Sequence, residues 1–166
     1  MSYGIGDHVV YSSGEVCRIE GLERKSIGGG EMDYFRLVPI GSRGASYYVL
    51  REKLEERVHP VMTREQILSV IDRIPATEDV WDTDKTRRKS LYSQILKSGG
   101  RSRILGMIRG IYSEQQRRSA AGKSLAVDDE RAFAAACSIV DGEFAFVLGI
   151  KEEEVGGFIH SRLVNE

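Results

Sequence analysis

The sequence predicts an α+β protein in two domains, a small β-barrel followed by an all-α helical bundle. Three observations carry that reading. Up to Leu50 the apolar residues alternate with period two between glycine-rich turns, the pattern of short half-buried strands. Past Pro60 they recur every three or four positions, which is the helical period. Between the two patterns, Thr63-Arg-Glu-Gln66 has the form of a capping box that opens a helix. The expected boundaries are residues 1–58 for the barrel, 59–62 for a linker and 63–166 for the helical domain.

In the first domain, His8 to Tyr11 reads as a short strand and Val16 to Leu22 as a second. Gly28 to Gly30 supply the positive φ that a tight hairpin turn requires, and Tyr34 to Ile40 forms the return strand. Gly41 to Gly44 make another turn before a strand over Ser46 to Leu50. Arg51 to Leu54 reads as a helical turn, with a last strand near Arg57 to His59. Several short strands in under 60 residues give a small SH3- or Tudor-like barrel.

In the second domain, Thr63 is the expected N-cap of a helix with the stripe Ile67, Ile71 and Ile74, stopped by Pro75. A second helix is expected from about Thr83 to Lys97, with Leu91, Ile95 and Leu96 inward, ending at Ser98-Gly-Gly100. A third carries Ile104, Ile108, Ile111 and Tyr112 and ends by Gly122. Asp128 is the expected N-cap of a fourth, with Phe133, Cys137, Val140, Phe144 and Leu148 along one face. A short fifth helix over Lys151 to Leu163 is weakened by Gly156-Gly157.

Composition is that of a soluble globular chain, 41% hydrophobic and 30% charged. No apolar run approaches the ~20 residues of a membrane helix, and the N-terminus lacks a secretory pattern, so a cytoplasmic protein is expected. Cys17 and Cys137 lie far apart in apolar patterns and read as buried free thiols. The net charge of −1 hides a lopsided distribution. From Asp84 to Lys123 eleven basic residues face two acids, a local +9, whereas Asp128 to Glu166 carries −6. Such a basic block is either a solvated face or an electrostatic footprint for nucleic acid.

Trp81, the only tryptophan, stands just before that block in Glu78-Asp-Val-Trp-Asp-Thr-Asp-Lys-Thr-Arg-Arg-Lys89. A large ring in polar company either touches something outside its own protein or folds back over the start of the next helix. Catalytic signals are weak. His8, His59 and His160 are scattered, with no metal-ligand spacing. Gly122-Lys-Ser124 has the end of a P-loop, but Arg117 stands where its first glycine belongs. Glu152-Glu-Glu154 and Asp128-Asp129 read as acids favoured in a first helical turn. No enzyme activity, cofactor, metal or small-molecule substrate is expected.

The order of these parts resembles the CarD-like family of bacterial transcription regulators. In the first domain the resemblance rests on Gly6-Asp-His-Val-Val-Tyr11, Gly14, Ile19-Glu20, Gly28 to Gly30 before Tyr34, and Tyr48-Val-Leu50. In the second it rests on Trp81, Arg87-Arg88, Leu96-Lys-Ser-Gly99, Ile108 to Tyr112, Asp129-Glu-Arg131 and Glu143 to Ile150. Ser12-Ser13-Gly14 departs from the Pro-His-x-Gly common in that family. The resemblance implies an RNA-polymerase-interacting barrel of the kind shared with the transcription-repair coupling factor, bound to a lobe of the polymerase β subunit strand edge to strand edge. Arg24, Lys25, Arg43 and Tyr48 are its implied polymerase contacts. It also implies a helical domain on promoter DNA, largely independent of base sequence, with Trp81 as a minor-groove wedge. Lys85, Arg87, Arg88, Lys89, Arg101 and Arg103 are the implied contacts around that ring. Such a protein modulates the stability of the promoter open complex. Two other readings stay open: an interaction module that binds no DNA, and an RNA- or ribosome-associated protein.

Overall fold

A computed structural model describes residues 2–12, 14–41, 44–98 and 100–164. The chain divides into two compact units, Met1–Met62 and Thr63–Glu166.

The first unit is a five-stranded antiparallel sheet. Its strands are β1 (His8–Tyr11), β2 (Val16–Ser26), β3 (Glu31–Pro39), β4 (Tyr47–Leu50) and β5 (Val58–Pro60), in the order β4-β3-β2-β1-β5. A short helical turn, α1 (Leu54–Arg57), precedes β5. The sheet does not close into the barrel expected: among the described residues β4 pairs only with β3 and β5 only with β1. Strand β2 runs four residues past Leu22, because Glu23 to Ser26 continue the ladder opposite Glu31 to Tyr34. The register shifts between Ile19 and Gly21, a bulge that bends the strand and increases its twist. One face of the sheet buries Val9, Cys17, Ile19, Leu37 and Val49, closed over by Leu54 and Val58 from the α1 turn and β5. The stacked rings of Tyr11 and Tyr47, 4.7 Å apart, pack against this core. Burial raises the Cys17 thiol to about 12, so it stays a neutral core group. Cys137, half-buried in the second unit, is likewise raised to about 11 by burial.

Among the described residues the second unit holds five α-helices, α2 (Arg64–Asp72), α3 (Lys85–Ser98), α4 (Gly100–Ala120), α5 (Val127–Leu148) and α6 (Val155–Val164). The capping box at the start of α2 is complete. Thr63 Oγ1 accepts the Gln66 N–H at 3.1 Å, and the Gln66 side chain accepts the Thr63 N–H at 2.8 Å. Helix α6 forms despite its glycine pair and is tied to α2 by Arg162, whose guanidinium donates twice to Asp72 at 2.7 and 2.9 Å. The centre of the unit is Ile67, Ile71, Ile95, Met107, Ile111, Val140 and Phe144, all fully buried or nearly so.

Several sequence expectations shift. Helix α3 begins at Lys85 rather than Thr83, because Asp84 caps it: its carboxylate accepts the Arg87 N–H at 3.0 Å. Its buried side is Arg88, Tyr92 and Ile95, with Leu91 and Leu96 only half-buried. Tyr112, expected inward on α4, is 53% exposed. Helix α5 starts at Val127 after an Ala126 N-cap, so Asp128 lies inside its first turn and does not cap it. No single helix among the described residues is long and apolar enough to cross a membrane.

Candidate functional site

Trp81 lies between two attachments of its own backbone. On one side the Val80 N–H donates to the Gly106 carbonyl of α4 at 3.0 Å. Here the extended segment runs directly over helix backbone, which requires glycine in α4. A Cβ at Gly106 would stand 2.6 Å from the Glu78 carbonyl oxygen, and one at Gly110 would overlap the Val80 carbonyl, whose carbon lies 2.8 Å away. Arg109, between these glycines, donates to the carbonyls of Ile74 and Thr77 and pairs with Asp79 at 3.3 Å. The segment before the indole is thus bound along a groove of α4.

On the other side stands Arg88, expected as a phosphate contact and found 5% exposed. Its Nε and Nη2 donate to the two Asp129 oxygens at 2.8 and 2.9 Å, and Nη1 donates to the Asp82 carbonyl at 2.9 Å. The central carbon of the guanidinium lies over the Trp81 ring, 4.2 Å from its centre. Tyr92 adds a 3.0 Å hydrogen bond to Asp129. The bond to Asp129 holds the Arg88 pKa up, and burial pushes the Tyr92 phenol above its ordinary range. A buried guanidinium with three such partners is not available to a phosphate. The half-buried indole lies against Arg88 in the first turn of α3.

The other basic residues sort by their surroundings. Arg101, also expected at DNA, is an internal residue instead: its side chain is 12% exposed and bound to the fully buried Glu143. Arg87 is exposed and pairs with Asp82 at 3.3 Å, and Lys89 reaches Asp128 at 4.0 Å. Arg117 and Arg118 both hold Glu114, whose carboxyl is lowered chiefly by the bond from Arg117. Seven of the eleven cations between Asp84 and Lys123 therefore carry a carboxylate partner: Arg87, Arg88, Lys89, Arg101, Arg109, Arg117 and Arg118. Lys85, Lys97, Arg103 and Lys123 make no ion pair among the described residues. The +9 block is consequently a much smaller field at the surface. What remains exposed at the start of α3 is Lys85, Arg87 and Lys89, with Arg103 exposed on α4.

Asp129, Tyr92, Arg109 and the two glycines were missed as contributors to this site. The glycines had a sequence signal of their own, since Gly106-x-x-x-Gly110 places two of them on one helix face. Among the described residues no group of three or more His, Cys, Asp or Glu is placed to hold a metal ion.

In the first unit, Lys25 and Tyr48 meet: the ammonium sits 4.2 Å over the centre of the phenol ring. Beside them Arg36 donates to Glu23 at 2.8 Å. Arg24 is exposed and pairs with Glu31 at 3.4 Å. Arg43 lies outside the described residues. Tyr48 belongs to β4, a strand with no second partner among the described residues, so the cation–ring pair adjoins an open sheet edge.

Comparison with protein families matches residues 3–62 to the CarD-like/TRCF RID domain. None of the curated proteins compared with the chain matches it. The match spans the whole five-stranded sheet and agrees with the resemblance carried by Gly6 to Tyr11 and Tyr48 to Leu50. The match supports RNA polymerase as a partner of this unit and transcription as its process. The N-terminal unit belongs to the CarD-like/TRCF RID family of RNA-polymerase-interacting domains.

Proposed function

We propose that the chain is a non-catalytic transcription regulator. It binds the β subunit of RNA polymerase through its sheet and promoter DNA through its helical unit, and so modulates the stability of the open complex. Tyr48 lies on the open β4 edge with Lys25 over its ring, and a strand of the polymerase lobe adding to that edge would gain main-chain hydrogen bonds. In the cytoplasm the protein would sit on the nucleoid through the polymerase.

The observation that carries the DNA reading is an indole fixed at the start of α3, a helix of 14 residues without a single acid. Lys85, Arg87 and Lys89 are exposed on the first turns of that helix and suit phosphates, which position without reading bases. A ring that gains contacts only with distorted DNA favours the opened complex over the closed one. The shift is about 1–3 kcal/mol, or roughly 5- to 150-fold in an equilibrium constant. Promoter specificity then comes from riding on the polymerase.

The test is the lifetime of promoter open complexes formed by RNA polymerase with the wild-type chain and with Trp81→Ala. A shortened lifetime with unaltered polymerase binding is expected; an unaltered lifetime would sink the wedge role.

A further inference from the structure

We infer that Arg88, oriented by Asp129 and Tyr92, is the positioning residue for the Trp81 ring, a role that rests on the DNA-wedge reading of that ring. A buried ion pair is a poor source of stability, because apolar residues of similar volume do as well or better. Arg88 and Asp129 therefore call for another reason to be inside the protein.

The geometry supplies it. A guanidinium is a planar fork, so two parallel bonds to Asp129 fix the direction of its plane as well as its position. The guanidinium held in this way is the group that lies over the face of the indole, its central carbon 4.2 Å from the ring centre. The third donor takes the carbonyl of Asp82, the residue next to Trp81, so one group holds both the ring and the backbone that bears it. Tyr92 shares Asp129 and limits how far the carboxylate can turn. With Val80 bonded to Gly106 on the other side, the indole is held from both neighbours and from one face. A ring ordered in advance loses less freedom on meeting DNA than a loose one.

The sole tryptophan makes this measurable, since indole fluorescence reports on position 81 alone. Acrylamide quenching and time-resolved anisotropy would be compared in the full chain and in Arg88→Lys and Tyr92→Phe, each first shown to be folded by circular dichroism. Lysine keeps the charge but has no plane. Arg88→Lys should raise the quenching constant and the mobile fraction about 2- to 5-fold, the factor that the loss of one such stacking contact implies. Tyr92→Phe should move both in the same direction by less, and it serves alone if Arg88→Lys does not fold. Unchanged quenching and anisotropy would overturn the proposal.

A second arm uses RNA polymerase and promoter DNA. Arg88→Lys should speed open-complex decay when Trp81 is present and add nothing in a Trp81→Ala background. Equal acceleration in both backgrounds would mean a general structural role and would also overturn it. If Trp81→Ala alone leaves the lifetime unchanged, the wedge reading fails, and the quenching arm still decides whether Arg88 holds the ring.

Discussion

Each unit contains a cation lying over an aromatic ring at 4.2 Å, and the two contacts differ in everything else. On the sheet, Lys25 carries its charge on a flexible stem, 34% of its side chain is exposed, and its ring partner Tyr48 is 37% exposed. In the helical unit, Arg88 is buried, hydrogen-bonded on three sides and backed by a buried carboxylate. The same attraction thus serves two purposes. An ammonium over an exposed ring can move aside or exchange its partner at little cost, which suits a surface that docks against another protein. A guanidinium locked by Asp129 cannot, and it gives the neighbouring indole one fixed place. What a contact does follows from what surrounds it more than from its type.

The largest expected effect comes from removing the backing of the fixed contact. Asp129→Ala leaves the buried Arg88 without its counter-charge, and breaking such a pair costs about 3–5 kcal/mol. Lys25→Ala, by contrast, should change stability by no more than about 0.5 kcal/mol. Urea unfolding of both variants sets the two contacts side by side. Similar shifts in the two would erase the distinction between a locked and an adaptable pair.

Next in size is the glycine groove. A methyl at Gly110 meets the backbone of Val80, not a side chain that can swing away, so the Trp81 segment must shift. Overpacking of this kind costs about 1–3 kcal/mol, more than the roughly 1 kcal/mol a helix gains from replacing glycine by alanine. Gly142 on α5 provides the contrast. A Cβ there meets only the Glu152 carboxylate at 3.4 Å, the far end of a flexible side chain. Gly142→Ala should therefore be neutral or stabilising by up to about 1 kcal/mol. The urea midpoints decide, and a Gly110→Ala variant as stable as wild type would mean the segment does not need the groove.

Much of this architecture was legible in the sequence, for reasons that also explain the misses. The switch of period near Pro60 and the Thr63–Gln66 capping box depend on local chemistry, and both are present in the fold. The family resemblance of the sheet was readable from Gly6 to Tyr11 and Tyr48 to Leu50. Charge was not readable in the same way. Arg88 and Arg101 count as +2 in a local tally, yet their partners Asp129 and Glu143 stand 41 and 42 residues further on. Asp128 and Asp129 looked like capping and dipole acids, but Asp129 is drawn inside by a side chain on another helix. Tyr112 looked like part of the apolar stripe because Ile108 stands one helical turn before it. The Gly106 and Gly110 face of α4 is occupied by the Glu78–Val80 backbone, however, and Tyr112 is left outside. Closure of the sheet was equally invisible, since strand count does not say whether β4 and β5 meet.

A pH titration extends the comparison to a third buried charge. Glu114 is 7% exposed, and its carboxyl is held below its ordinary value near 4.5, first by the hydrogen bond from Arg117. A group lowered on folding adds stability above the unfolded value and loses it as pH falls through the lower folded one. Stability should accordingly decline below about pH 4.5, and Glu114→Gln should flatten that acid limb. Unfolding midpoints between pH 6 and pH 3 test this, and an acid limb that survives the substitution would assign the loss to other carboxyls.

The smallest effects on stability are expected at the exposed cations, and they bear most directly on DNA. Lys85 and Arg103 make no ion pair among the described residues, so their truncation to alanine should leave the unfolding midpoint unchanged. If they meet phosphates, each truncation lowers the slope of log affinity against log salt by about 1, uniformly across DNA sequences. Arg88 behaves in the opposite way: its charge is already matched by Asp129, so Arg88→Lys should leave the salt slope where it was. A binding titration at several salt concentrations with these three variants separates cations that bind from the cation that builds. A slope that falls with Arg88→Lys and not with Lys85→Ala or Arg103→Ala would reverse the assignment of the two groups.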